Sequence, residues 1–337
     1  MNQFRWPAEW EVQSATWISW PHNRGTWPDR FEPVPSVFAR FIAELSRVQS
    51  VHVLTGPDGI TPAAVDMLLE HPNVHLHRIR TNDVWIRDYG PTFVKRTGDG
   101  NLVGIDWHFN AWGGKYKHFR DDAAAAVAVC DIVGCERVES DMTCEGGGLE
   151  TDGAGTILAA SSCFLTETRN PGWSRERIES ELVSKLGAEK IIWVDGGGLE
   201  GDDTDGHIDQ LARFVAPGLV VAAVNSRAED SNAEGLRVNV KTLRAATDAC
   251  GRALQVIELP TPAPRLIDDA RIPESYCNFL IANKIVIVPT FRSAATDQFA
   301  LKTLAELMPD REIVPLDAYD LIWGLGAFHC ASQQQPA

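Results

Sequence analysis

The pentapeptide Gly-Gly-Gly-Leu-Glu occurs twice, at 146–150 and again at 196–200. Each copy follows a strand-like run and runs on into an Asp-Gly or Thr-Asp-Gly turn. A device used twice at matched positions points to repeated, strand-rich modules within one body. The rest of the chain fits that reading. Apolar runs at 14–20, 51–54, 74–79, 156–160, 191–194, 212–215 and 219–224 have strand length, and pairs at 93–95/102–109 and 278–282/284–289 read as hairpins, the second turning at Asn283. Helical spacing is found at 34–48, through the alanine run 123–128, at 174–186, 233–249 and 297–307. Thr61 and Ser174 are placed as N-caps, Pro62 stands at a first helical position, and Gly56-Pro-Asp-Gly59 is a turn. Hairpins that flank helices predict an α/β fold. With no linker-like stretch, residues 1–337 form one domain.

Composition narrows the partners. Hydrophobic residues make up 44% and charged residues 23%, enough apolar material for a large core. The net charge of −15 repels nucleic acid and anionic membranes and attracts small cations. No apolar h-region opens the chain, and no run approaches membrane-spanning length, so neither a signal peptide nor a membrane association is expected. Seven cysteines without zinc-type spacing read as reduced thiols, which predicts a cytoplasmic protein.

One cysteine has a setting of its own. In Gly324-Leu-Gly-Ala-Phe-His-Cys330, Gly324 and Gly326 suit a backbone that turns sharply and comes close to a ligand, and Cys330 follows beside His329. Three acidic loops supply what a thiolate nucleophile needs. Asp88, in Asn82-Asp-Val-Trp-Ile-Arg-Asp-Tyr-Gly-Pro91, matches a planar guanidinium. His207 and Asp209, two apart in an extended segment, share a side. Glu145, ahead of three glycines, orients His207. A cation site made of His207, Asp209 and the acidic run Asp202, Asp203 and Asp205 is the alternative. Those donors do not assemble into one hard or soft set, so no metal and no cofactor are expected.

The reaction that uses all of these groups is attack on a guanidinium carbon. Cys330 adds to the carbon, Asp88 and Asp209 hold the terminal nitrogens, and His207 protonates departing ammonia. His207 then activates water to release a ureido product. Trp85 and Trp112 are candidates for apolar walls around a methylene chain. Arg87 or Lys115 would answer a substrate carboxylate.

The ordered loops Asn82–Pro91, Phe109-Asn-Ala-Trp-Gly-Gly114, Glu145-Gly-Gly, Asp202-Asp-Thr-Asp-Gly-His-Ile-Asp209 and His329-Cys-Ala-Ser-Gln-Gln-Gln-Pro336 resemble the agmatine deiminase family, within the guanidino-group-modifying superfamily. The resemblance runs nearly end to end. It implies a five-bladed α/β-propeller of ββαβ-type modules, with pseudo-fivefold symmetry around a central site. It implies catalytic roles for Cys330, His207, Glu145 and Asp88, substrate contacts by Asp88 and Asp209, and a homodimer. Arg87, Trp85, Trp112 and Gly326 join them as candidate substrate contacts. The activity implied is hydrolysis of agmatine to N-carbamoylputrescine and ammonia. The family's Glu-Trp-Glu-Pro-His reads Glu9-Trp-Glu-Val-Gln13 here, and the glycine-rich tail is altered as well. These departures leave open free or peptidyl arginine, another guanidine, an amidinotransferase, or a guanidine-binding protein without activity.

Overall fold

A computed structural model describes residues 2–56 and 60–337; the expected turn at 57–59 lies outside them. Its strands fall into five main sheets and one two-stranded hairpin among the described residues.

One local plan recurs in all five sheets. Two strands pair antiparallel, a helix follows, and the next strand returns parallel to the second. Thr92–Arg96 and Leu102–His108 precede helix Ala125–Val133 and strand Glu136–Thr143. Leu149–Thr151 and Thr156–Ala160 precede helix Arg175–Leu186 and strand Lys190–Val194. Ala212–Ala216 and Leu219–Val224 precede helix Ala233–Ala245 and strand Gln255–Pro260. Leu280–Ala282 and Ile285–Thr290 precede helix Ala294–Leu307 and strand Glu312–Asp317. The fifth module uses both ends of the chain. C-terminal strand Ser332–Pro336 pairs antiparallel with Gln13–Ser19, helix Val34–Ser46 follows, and Ser50–Leu54 and Val74–His77 complete the sheet in parallel.

The sequence explains these elements locally. The middle strands are buried on both faces, as in Thr156–Ala160, where every residue is buried, so they read as continuous apolar runs. Helix Val34–Ser46 buries Phe38, Phe41, Ile42 and Leu45, one stripe at helical spacing. Ser174 accepts from Arg177 N at 3.3 Å, and Gly187 ends that helix with φ +72°.

Some expectations need correction. The segment through 123–128 is two helices, Arg120–Ala123 and Ala125–Val133. The helix expected over 233–249 stops at Ala245, where Ala246 turns extended. Strands Glu136–Thr143 and Gln255–Pro260 lacked the apolar pattern that marks a buried strand, since several of their residues are exposed.

Candidate active site

The segments just ahead of each module's first strand meet at one place. Asp88 precedes Thr92–Arg96, Glu145 precedes Leu149–Thr151, and His207 and Asp209 precede Ala212–Ala216. Asn278 precedes Leu280–Ala282, and Cys330 precedes Ser332–Pro336. All six are buried. They meet as two trios: His207 Nδ1 lies 3.5 Å from Asp88 Oδ1 and its Nε2 3.9 Å from Glu145 Oε2, while Cys330 Sγ lies 3.4 Å from Asp209 Oδ2 and 3.0 Å from Asn278 Nδ2; Gly147 stands between the trios, facing His207, Asp88 and Asp209.

Asp88 sits in a helical turn, Ile86–Tyr89, where an open loop was expected. Its Oδ1 accepts from Gly147 N at 3.0 Å and its Oδ2 from Trp112 Nε1 at 2.9 Å. His207 and Asp209 share the site for a different reason from the one expected. His207 caps the 3-10 turn Ile208–Gln210, and Asp209 lies within that turn; neither belongs to an extended run.

Each glycine of the first Gly-Gly-Gly has its own neighbour. A Cβ on Gly147 would lie 2.6 Å from His207 Nδ1 and 2.7 Å from Asp88 Oδ1. On Gly146 it would meet Arg87 O at 2.2 Å, and on Gly148 the Phe164 ring at 2.6 Å. The backbone therefore threads between the catalytic candidates where a side chain cannot follow.

The electrostatics are uneven. Burial, opposed by His207 and aided by Asp209 and Glu145, leaves the Asp88 carboxyl pushed up to about 6. Burial works against an imidazolium at His207, but Asp88, then Cys163 and Glu145, outweigh it and raise its pKa well above the ordinary value. Burial also opposes ionisation of Asp209, yet hydrogen bonding and charge from His329, with His207 and Arg213, hold it below the usual carboxylate range. The Cys330 thiol is pushed well up by burial, then by Asp209 and Asp88, against the opposing hydrogen bond from Asn278. Both ring nitrogens of His207 lack a hydrogen bond among the described residues, as does Asp209 Oδ1. A guanidinium entering here would meet an unsaturated acceptor, Asp209 Oδ1, beside a thiol.

Several functional side chains gave no warning in the sequence. Arg169 is buried and joins Glu145 (Nε to Oε1, 2.9 Å), Asp205 and Thr204 O, so it clamps the carboxylate beside His207 to the loop that carries His207. His329 bonds Asp209 Oδ2 at 2.8 Å through Nδ1 and Glu9 Oε2 at 2.9 Å through Nε2. Arg213 in turn holds Glu9 and Glu150. Lone arginines carry no motif, and the two partners of His329 are not legible from its place beside Cys330; only contact reveals them. The Glu9–Gln13 departure falls in this support layer. Of the two altered positions, Gln13 is buried and bonds Glu9 O and Ile281 O, while Val12 is exposed.

Two candidate contacts take other roles. Arg87 is buried; its Nε donates to His329 O at 3.2 Å and its Nη1 to Gln334 Oε1, so it braces the cysteine segment and does not stand at a mouth. Gly326 has ordinary φ, and its close approach is to an indole: a Cβ there would meet Trp85 Cζ3 at 2.5 Å. The left-handed residue of that turn is Leu325, φ 71°. Trp85 packs on Gly324, Gly326 and Trp27, while Trp112 stands edge-on to Phe109 and Tyr116 beside Asp88.

A cleft of about 680 Å³ lies outside the His207 loop, with Lys115, Glu200, Asp202, Asp205, Ser231 and Asn232 among its walls. Ser231 and Asn232 come from the segment between strand Leu219–Val224 and helix Ala233–Ala245. Lys115 is engaged there by Asp203 O and Asp205.

Two sets of side chains have the spacing of metal ligands, Glu145/Cys163/His207 and Glu9/Glu150/His329. Each already has a cation: Arg169 on Glu145, Arg213 on Glu9 and Glu150. The acidic run 202–205 is also spent, Asp202 on Thr204 and Gly206, Asp203 on Tyr116, and Asp205 on Lys115 and Arg169. These donor sets suit guanidinium partners better than a metal ion.

The profile of the family described as Porphyromonas-type peptidyl-arginine deiminase matches residues 5–336. The agmatine deiminase of Stutzerimonas stutzeri is 36% identical, covering 98% of this chain and 95% of that protein. That of Medicago truncatula is 34% identical over 99% and 96%. Among solved structures, the agmatine deiminase of Enterococcus faecalis superposes with a TM-score of 0.92 at 31% identity, covering 99% and 96%. A C. jejuni agmatine deiminase bearing a cysteine-to-serine change and bound substrate gives 0.91 at 28%, again over 99% and 96%.

Proposed function

The chain belongs to the Porphyromonas-type peptidyl-arginine deiminase family, and on that footing we propose that it is an agmatine deiminase, a hydrolase acting on the C–N bonds of a linear amidine. The observation that carries the chemistry is the juxtaposition of Cys330 Sγ, His207 and the carboxylates Asp88, Asp209 and Glu145 in one buried cluster.

In this reading the guanidinium sits between Asp88 and Asp209. Its charge offsets the two anions that keep Cys330 protonated, so binding itself favours the thiolate, with the thiol proton released to solvent and regained when the product leaves. The thiolate adds to the central carbon. His207, held as an imidazolium by Asp88 and Glu145, gives a proton to one nitrogen, and ammonia leaves. An amidino-thioether cation remains on Cys330. Neutral His207 then takes a proton from water, hydroxide adds to the same carbon, and collapse expels the thiolate and the ureido product. That product loses one proton, which balances the one ammonia carries away as ammonium.

Agmatine is favoured over arginine by the two cations that could have read a carboxylate. Arg87 is buried against Gln334 and His329 O, and Lys115 is engaged by Asp203 and Asp205. On the same cleft wall Glu200 is exposed, shared with Ser231 and Arg271, and is the carboxylate offered to an ammonium. Trp85 and Trp112 would flank the methylene chain. The five modules are read as five blades around this site, in a cytoplasmic homodimer; no helix among the described residues is long and apolar enough to cross a membrane.

The test is an acid quench of the protein during agmatine turnover, followed by peptide mass analysis. The amidino adduct is expected on the peptide carrying Cys330. An adduct elsewhere, or turnover without one, would remove the covalent step.

A further inference from the structure

Four of the five modules place a side chain with a part in the proposed reaction just ahead of their first strand. The remaining module places Asn278 there, two residues before Leu280–Ala282. Resting on the reading of Cys330 as nucleophile, we infer that Asn278 is a catalytic residue: its amide N–H stabilises the Cys330 thiolate while its carbonyl fixes the loop that presents it.

Both ends of the side chain are used. Nδ2 donates to Cys330 Sγ at 3.0 Å. Oδ1 accepts from the backbone N–H groups of Ala327 and His329 at 3.2 Å and of Cys330 at 3.3 Å. Asn278 is 2% exposed, and its own carbonyl receives a further contact from His329 N at 3.4 Å. One planar amide thus sets the backbone around the cysteine and fills a donor direction at its sulfur. The carbonyl cannot swap places with the NH2 group, because three N–H groups already point at it.

The need for a donor is clear from what else faces the sulfur. Asp209 Oδ2 lies 3.4 Å away, and Asp88 adds a second negative charge from its own turn. His207 is turned toward Asp88 and Glu145, and His329 spends both nitrogens on Asp209 and Glu9. Among the described residues, Asn278 is the side chain that donates a hydrogen bond to Sγ. A neutral donor is also the right choice. A lysine or arginine there would favour the thiolate more strongly, but it would repel the cationic substrate.

The test follows alkylation of the Cys330 peptide by iodoacetamide across pH, together with agmatine kinetics, in wild type, Asn278→Asp and Asn278→Ala. Asn278→Asp keeps an oxygen for the three N–H groups and removes the donor; Asn278→Ala removes both without adding charge. Both variants are expected to move the alkylation midpoint to higher pH, with at least a tenfold slower reaction near neutrality, and to lose kcat more than they raise KM. An unshifted midpoint in a folded Asn278→Ala, whatever its activity, would reduce Asn278 to a loop anchor and overturn the inference. If Asn278→Ala does not fold, an unshifted midpoint in Asn278→Asp does the same. Cys330→Ala separates this result from the underlying reading: full activity in that variant would remove the nucleophile itself, not only its donor.

Discussion

Trp112 donates from its indole nitrogen to Asp88 Oδ2 at 2.9 Å, and it does so from a segment held left-handed at four consecutive residues. Ala111 and Trp112 have φ of 57° and 54°, followed by Gly113 and Gly114 at 83° and 81°. The two non-glycine residues cost about 1–3 kcal/mol each in backbone strain. That strain is tolerated because it turns the indole onto the carboxylate.

Trp112→Phe keeps the ring and deletes the donor. A hydrogen bond to a charged group contributes about 1.5–3 kcal/mol. The variant is therefore expected to raise KM for agmatine by about 10- to 100-fold, with a smaller change in kcat, read from steady-state kinetics. An unchanged KM would mean that Asp88 does not depend on this contact.

Asp88 should also set the acid limb of the reaction. Its carboxyl is pushed up to about 6 by burial, with Asp209 and Glu145 adding to the effect and His207 opposing it. Above that pH the carboxylate is charged and holds the cation; below it the neutral acid does not. kcat/KM, which reports free enzyme, is expected to fall as pH drops through about 6. In the complex the bound guanidinium favours the carboxylate, so kcat should persist to lower pH. A kcat/KM profile flat down to pH 5 would contradict this.

Gly147→Ala is the sharpest steric probe. The added methyl would stand 2.6 Å from His207 Nδ1, 2.7 Å from Asp88 Oδ1 and 3.1 Å from Asp209 Oδ2. Overpacking costs about 1–3 kcal/mol in stability. Displacement of three reacting groups costs about 100-fold or more in kcat/KM. Thermal melting and kinetics together check both. A fully active variant would place the reaction elsewhere.

How far the sequence reveals the site can be followed residue by residue. Asp88, Glu145, His207 and Asp209 sit in loops that hold acidic residues and glycine together, and Cys330 follows Gly324 and Gly326; such segments depart from ordinary packing and can be read. The alternation of hairpin and helix was legible too, since buried strands leave apolar runs. Arg169 and Asn278 were not, since each is an ordinary residue in an ordinary run. His329 and Glu9 stand in motif segments, but their roles, like that of Arg169, come from partners elsewhere along the chain, as with Arg169 and Glu145 or Glu9 and His329. Arg87 shows the converse: its place beside Asp88 suggested a substrate contact, but a helical turn sends neighbouring side chains in different directions.

Arg169 gives a stability prediction with a definite sign. Burial opposes ionisation of Glu145, but the neighbouring His207 and the charge and hydrogen bond of Arg169 hold its carboxyl below the ordinary value. That contribution is present above the unfolded carboxyl pKa and is lost as pH falls toward the folded one. Arg169→Met strands a buried carboxylate and should destabilise by about 3–5 kcal/mol near neutrality. The gap from wild type should narrow below about pH 4, where Glu145 is protonated in the unfolded chain as well. Denaturation midpoints at the two pH values decide it; a gap that stays constant would assign Arg169 no charge role.

The most direct measurement is ammonia release from agmatine, arginine and a blocked arginyl peptide, with Cys330→Ala beside wild type. Agmatine is expected to be turned over in clear preference to the other two, without an added amine acceptor, and Cys330→Ala is expected to be inactive on all three. Turnover of agmatine by Cys330→Ala, or preference for arginine or the peptide, would contradict the account.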